Sequence, residues 1–342
     1  MRLVRFRRYR HIGLGALVEG NRIVDLQAAA TALLAEGGPN ADPFAQKEVE
    51  LRLAPDTCEF LAGGSLSREL AQHSLRWAMR PNNKGGIGGE PLLLARSEVE
   101  LLPPVVPPLL LGKGAHFRDS PGGPDLPQHG EFFLRNPHSI LSVEQTIPLP
   151  RWLPGPAIAA PKLAIVIGSS LRNADRAEAE AAIFGYCGAL DIRLDGSNKL
   201  SWAGALWHLQ YPHSRSFDGS IMLGPAIVTK DEVDDLASLR ASLTIGGNQT
   251  FDGLVPGAAD DLVEWICRLS QAVTLRPGTV LVPASADDAV VVPSTDPQAP
   301  LRLLEVVGQP LQDGDEVAVS ITGLGQWRAR IRMIDKASVG TS

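Results

Sequence analysis

Pro161-Lys162-Leu163-Ala164-Ile165-Val166-Ile167-Gly168 is the stretch on which the fold turns. From Leu163 to Ile167 the run is continuously apolar and rich in β-branched residues, which marks a strand buried on both faces, because a strand with one wet face alternates. Such a strand needs cover on both sides and therefore belongs near the domain centre. Downstream, the alanine-rich segment 174–189 reads as a helix. Asp191 follows, then a segment carrying Trp202, Trp207, His208 and His213, then Arg215-Ser216-Phe217-Asp218 and Leu223-Gly224-Pro225.

Working outward, Leu3–Phe6, Leu14–Val18 and Arg22–Leu26 read as strands, with Glu19-Gly20-Asn21 as a hairpin turn. Residues 67–79 read as a helix, and Pro81–Gly89 as a connector rich in turn residues. This predicts a small β-rich N-terminal domain with its linker over 1–90. Residues 91–342 then form a larger α+β domain. Val99–Gly112 is punctuated by prolines, which cannot donate to a sheet, so its first half is expected at an edge or on the surface before it enters a strand. Residues 117–131 are dense in Pro and Gly, and a loop of that length in a compact domain suggests a lid. Further strands are expected at 239–245, 278–282, 316–321 and 326–334, with an amphipathic helix at 260–270.

Composition narrows the function classes. The 342 residues are 44% hydrophobic and 20% charged, enough to build a core without staples. A net charge of -6 argues against a general nucleic-acid or anionic-membrane binder, which needs a basic face. Five arginines do cluster at positions 2, 5, 7, 8 and 10, and read as a solvated or salt-bridged edge strand. Cys58, Cys187 and Cys267 are too widely and unequally spaced for a disulfide framework or a zinc site. No apolar signal core follows the N-terminal arginines, so the cytoplasm is the expected compartment.

Taken in order, Leu163–Gly168, Gly185-Tyr186, Asp191, Ser216–Asp218, Leu223–Pro225, Leu269-Ser270, Thr274–Gly278, Asp313–Asp315 and Gly323–Gly325 resemble the fumarylacetoacetate hydrolase superfamily. The resemblance covers roughly residues 100–334, and implies a mixed β-roll that usually forms a homodimer. It further implies enzymes that cleave, isomerise or decarboxylate small dicarbonyls and 2-oxo acids, usually with Mg²⁺ or Mn²⁺ stabilising an enolate.

The family's metal ligands are two glutamates in a Glu-x-Glu-Leu-Ala motif and one aspartate. Here Ala160 and Lys162 stand at the two glutamate positions, and only Asp191 matches. An ammonium about 4 Å from a divalent ion repels it by roughly 8 kcal/mol at an effective dielectric near 20. No metal is therefore expected at these positions, and a Lys162–Asp191 pair could supply positive charge instead. The resemblance assigns catalytic proton transfer to His116, oriented by Asp119 in a His-x-x-Asp spacing. Arg135 and Arg215 stand where relatives carry lysines, and with Asp191 and Ser285 they are the substrate-binding candidates. Lys162 is open to three roles: half of an ion pair, a substrate-binding cation, or a nucleophilic amine. The Trp and His residues of 202–213 either line a pocket or belong to a core or interface.

Three functions remain in view at this level. The first is a metal-independent enzyme handling a small oxo acid or dicarbonyl through an enolate, by hydrolysis, tautomerisation or decarboxylation. The second is a non-catalytic metabolite-binding or structural protein, and the third a lyase, dehydratase or cyclase of a specialised pathway.

Overall fold

The computed structural model describes residues 1–36, 44–81, 85–113, 132–151, 156–194, 214–259, 261–283 and 309–335. The chain opens with β1 (Arg2–Arg8), β2 (His11–Val18) and β3 (Arg22–Asp25), followed by α1 (Leu26–Ala35), α2 (Ala45–Arg52), α3 (Thr57–Ala62) and α4 (Gly64–Ala78). Next come β4 (Leu93–Ala95), β5 (Glu100–Leu102), β6 (Leu110–Lys113), β7 (Phe132–Arg135), β8 (Ile140–Leu141) and β9 (Thr146–Pro150). The central hairpin is β10 (Ala157–Ile167) and β11 (Ile183–Leu194), separated by α5 (Arg176–Ala182). The remainder is β12 (Ile221–Leu223), β13 (Ile227–Thr229), β14 (Arg240–Ile245), β15 (Asn248–Leu254), α6 (Leu262–Ala272), β16 (Val280–Val282), β17 (Glu316–Ile321) and β18 (Gly325–Ile334).

Two sheets result. The larger runs β4-β3-β2-β1-β13-β11-β10-β16-β6-β7, with β5 on β1, β12 on β11 and β8 on β12; the smaller runs β15-β14-β17-β18-β9. The hairpin is central, as the apolar run predicts. One face, with Leu163, Ile165, Leu190 and Ile192, joins the core that includes α6 and the small sheet. The other, with Ala164, Val166, Cys187 and Ala189, joins the core under the N-terminal helices. Burial on both faces is the physical reason that no polar alternation survives here. The close packing leaves no room for side chains at two glycines. A Cβ on Gly185 would lie 2.2 Å from the Val228 carbonyl oxygen, and one on Gly188 would lie 2.6 Å from the Trp327 ring.

The expected helix over 174–189 is shorter. It spans Arg176–Ala182, started by a capping box between Asp175 and Glu178, and the chain enters β11 at Ile183. Ile183-Phe184-Gly185-Tyr186 is β-branched, aromatic and glycine-bearing, and its pairing with β10 overrides the helical tendency of the preceding alanines.

At the N-terminus the three strands form where expected, and Gly20 and Asn21 make the turn with φ of 74° and 55°. The expected helix at 67–79 is α4, but α1, α2 and α3 form as well. Of these α1 and α3 carry legible start signals, since Asp25 Oδ1 accepts from the Ala28 amide at 3.0 Å, and Asp56 Oδ1 from the Cys58 and Glu59 amides at 2.8 and 3.1 Å. The arginine-rich β1 is salt-bridged, Arg7 to Glu100 at 2.8 Å and Arg8 to Glu98 at 3.4 Å. It is not an edge strand, because it pairs with β2, β5 and β13. In the proline segment, carbonyls without ladder partners are met by side chains. Pro103 accepts from Arg5 Nη1 at 3.2 Å, Pro104 from Thr57 Oγ1 at 2.6 Å and Val106 from Cys58 Sγ at 3.3 Å.

Candidate active site

Antiparallel register sets the first part of the site. Ala160 stands opposite Asp191 and Lys162 opposite Ala189, so Lys162 and Asp191 are diagonal neighbours on one face of the hairpin. Arg193, two residues after Asp191, shares that face. Among the described residues the buried charged side chains are Lys162, Arg135, Asp191, Arg193 and Arg215, at 1%, 4%, 5%, 5% and 6% exposure. Buried charge is costly unless paired, and here it is concentrated in residues that the strand pairing draws together.

Arg135 reaches the hairpin because the large sheet curls. It ends β7, the terminal strand, yet the next residues lead straight to β8, which pairs with β12, which pairs with β11 at Asp191. Arg135 Nη2 lies 2.7 Å from Asp191 Oδ1, with both side chains almost fully buried. Asp191 Oδ1 takes no hydrogen bond, so the contact is ionic rather than directed. The guanidinium also donates from Nε to the Arg215 carbonyl at 3.0 Å and from Nη2 to the Ser220 carbonyl at 3.3 Å. Ser220 Oγ donates to the same Arg215 carbonyl at 2.9 Å, which pins the turn entering β12. Arg135 is thus an ion-pair partner of Asp191 that the sequence did not suggest, and Lys162 stands diagonal to the same carboxylate.

His116, Asp119 and Ser285 lie outside the described residues, as do the expected lid over 117–131 and the Trp and His residues of 202–213. The points where these segments leave and rejoin the fold are described, and two of the segments leave and rejoin it at neighbouring points. Lys113 pairs with Phe132 across β6 and β7. The Leu194 amide donates to the Ser214 carbonyl at 3.0 Å, and the Leu311 amide to the Ala157 carbonyl at 2.9 Å. Because β6 runs parallel to β16 and β16 antiparallel to β10, Lys113 and Pro283 both stand at the Lys162 end of the hairpin.

Arg193 and Ser220 belong to this arrangement and were not among the sequence candidates. Alternation along Asp191-Ile192-Arg193 was the available signal for Arg193. Cys187 shares the face but is no nucleophile at neutral pH, since burial pushes its thiol up to about 12. The three cysteines are free.

These residues do not fit a divalent metal. Of the three positions that the resemblance implies as ligands, one is a methyl, one an ammonium, and the remaining carboxylate is ion-paired to a guanidinium. No group of three or more His, Cys, Asp and Glu that could hold a metal occurs among the described residues. No helix among them is long and apolar enough to cross a membrane.

A mixed β-roll with an acidic residue on a doubly buried central hairpin is the architectural class. The family model for the fumarylacetoacetate (FAA) hydrolase C-terminal domain matches residues 112–332, and the chain belongs to that family. Among curated relatives, the oxaloacetate tautomerase YisK of Bacillus subtilis is 23% identical over 80% of this chain and 84% of that protein. The oxaloacetate tautomerase YcgM of Escherichia coli is 27% identical over 59% of this chain and 81% of its own length. Maleylpyruvate hydrolase from Sphingobium sp. SYK-6 shares the fold, with a TM-score of 0.65 at 21% identity covering 98% of this chain and all of that one. Another structure of that hydrolase, in complex with manganese(II) and pyruvate, has a TM-score of 0.63 at 20% identity, covering 97% of this chain and 99% of that one.

Proposed function

We propose that this chain is an enzyme acting on a small 2-oxo acid or dicarbonyl through an enolate, without a divalent metal at the family's ligand positions. The observation that carries the reading is the burial of Lys162, Arg135, Arg193 and Arg215 around the Asp191 position of the hairpin. A 2-oxo acid brings one full negative charge, and enolisation places a second on its carbonyl oxygen. Preorganised cations in a water-poor site stabilise that developing charge, commonly by two to three orders of magnitude per donor. Lys162 is the group assigned to the enolate oxygen, and the arginines to the carboxylate. Proton transfer at carbon falls to His116, held in orientation by Asp119. Relatives named as oxaloacetate tautomerases and a maleylpyruvate hydrolase support the oxo-acid substrate class. A cytoplasmic homodimer is part of the same reading.

A second reading, a metabolite binder without turnover, draws support from the Arg135–Asp191 pair, which occupies the one carboxylate left at the ligand positions. The test is decay of the ultraviolet enol band for oxaloacetate and a panel of acylpyruvates, in excess chelator and again with Mg²⁺ or Mn²⁺. Turnover in chelator, lost about 100-fold or more in Lys162→Ala, is the expected result. Turnover that needs added metal, or that survives Lys162→Ala, refutes the mechanism. Binding of these acids without turnover selects the second reading.

A further inference from the structure

Arg135 is held by an ion pair with Asp191 Oδ1 at 2.7 Å and by two carbonyl acceptors, Arg215 at 3.0 Å and Ser220 at 3.3 Å. All three engage Nε and Nη2, and no hydrogen bond engages Nη1 among the described residues. The guanidinium is therefore fixed along one edge while its remaining N–H pair keeps its donor capacity. A lysine could not do this, because an ammonium is a point charge on a flexible stem and has no second edge to offer.

We propose that Arg135 is the resident cation of this site: Asp191 has become the anchor of a guanidinium instead of a metal ligand, and Nη1 of Arg135 donates to the carboxylate of a planar 2-oxo acid or its enolate. The proposal rests on the metal-free reading above and deepens it. It makes two statements that the reading does not. Restoring the missing carboxylates is insufficient to create a metal site while Arg135 holds Asp191. Recognition of the acid depends on guanidinium geometry and not merely on positive charge.

The first statement is tested by Mn²⁺ titration, following the electron paramagnetic resonance signal of the free ion. The proteins compared are Ala160→Glu/Lys162→Glu and the same pair combined with Arg135→Met. The triple variant is expected to bind Mn²⁺ at least 30-fold more tightly than the double, and equal affinities overturn the proposal. The second is tested on the wild-type chain and Arg135→Lys, a variant that keeps the charge, by calorimetric titration of oxalate in excess EDTA. Oxalate imitates a planar enolate of a 2-oxo acid. Wild-type binding weakened at least 10-fold in Arg135→Lys supports the proposal; binding unchanged in the variant, or absent from the wild type, overturns it. Failure of enol turnover with both binding results intact removes the enzyme reading and leaves this one. Enol turnover in chelator with oxalate binding indifferent to Arg135→Lys removes this one and leaves the enzyme reading.

Discussion

Replacing Arg135 by Met strips Asp191 of its ion-pair partner while leaving the carboxylate buried. Removing one member of a buried pair costs about 3–5 kcal/mol, because the other charge remains desolvated and uncompensated. The two carbonyls fare differently. Arg215 still receives the Ser220 hydroxyl at 2.9 Å, so only the Ser220 carbonyl loses a donor, adding about 1 kcal/mol. Arg135→Met is therefore expected to destabilise the chain by about 4–6 kcal/mol. Asp191→Leu leaves the guanidinium on two carbonyls and should cost less, about 2–4 kcal/mol. Arg135→Met with Asp191→Leu removes both charges at similar volume and should fall within about 2 kcal/mol of wild type. The cycle thus predicts a coupling energy of about 4 kcal/mol or more, read from urea unfolding followed by tryptophan fluorescence and far-ultraviolet circular dichroism. Additivity of the two single substitutions within about 0.5 kcal/mol would refute the argument that the pair acts as a unit.

Gly185→Ala and Gly188→Ala should both destabilise, by about 1–3 kcal/mol or more. Gly185 should be the worse, because its new methyl meets the rigid backbone at Val228 where that of Gly188 meets the Trp327 ring; the reverse order in denaturant midpoints would contradict this packing account. Burial raises the Asp25 carboxyl above its ordinary range, so between the unfolded and folded values the native state binds more protons and stability falls as pH rises. Asp25→Asn keeps an N-cap and removes that slope, so melting curves from pH 4 to 7 should be flatter than wild type. Cys187 and Cys58 are both pushed up to about 12, chiefly by burial. Native protein at pH 8 should consume little disulfide reagent at these thiols, urea should expose all three cysteines, and stability should decline above about pH 9 as the unfolded thiols ionise first.

Much of the fold was legible because its signals are local. The apolar run at 163–167, the turn at Gly20-Asn21 and the strands at 240–245, 280–282 and 316–334 follow from residues within a few positions of one another. So does the reading on which the proposed site depends, that Ala160 and Lys162 stand at the two glutamate positions of the motif the sequence resembles. The helix over 174–189 failed at its end because the alanine pattern is local, whereas the strand from Ile183 is stabilised by pairing with β10. Arg193 went unread because two charges on one strand face become informative only once that face is known to be buried.

What the linear chain determined is most of the strands, their order and the placing of Ala160 and Lys162 ahead of the buried run. Tertiary structure alone decided that Arg135 pairs with Asp191. That choice depends on the sheet curling so that the end of β7 returns to β11, and on β8 and β12 pinning it there. Periodicity and capping are written over a handful of residues, but which charge meets which across a roll is set by long-range strand register and by the cost of leaving either charge buried alone.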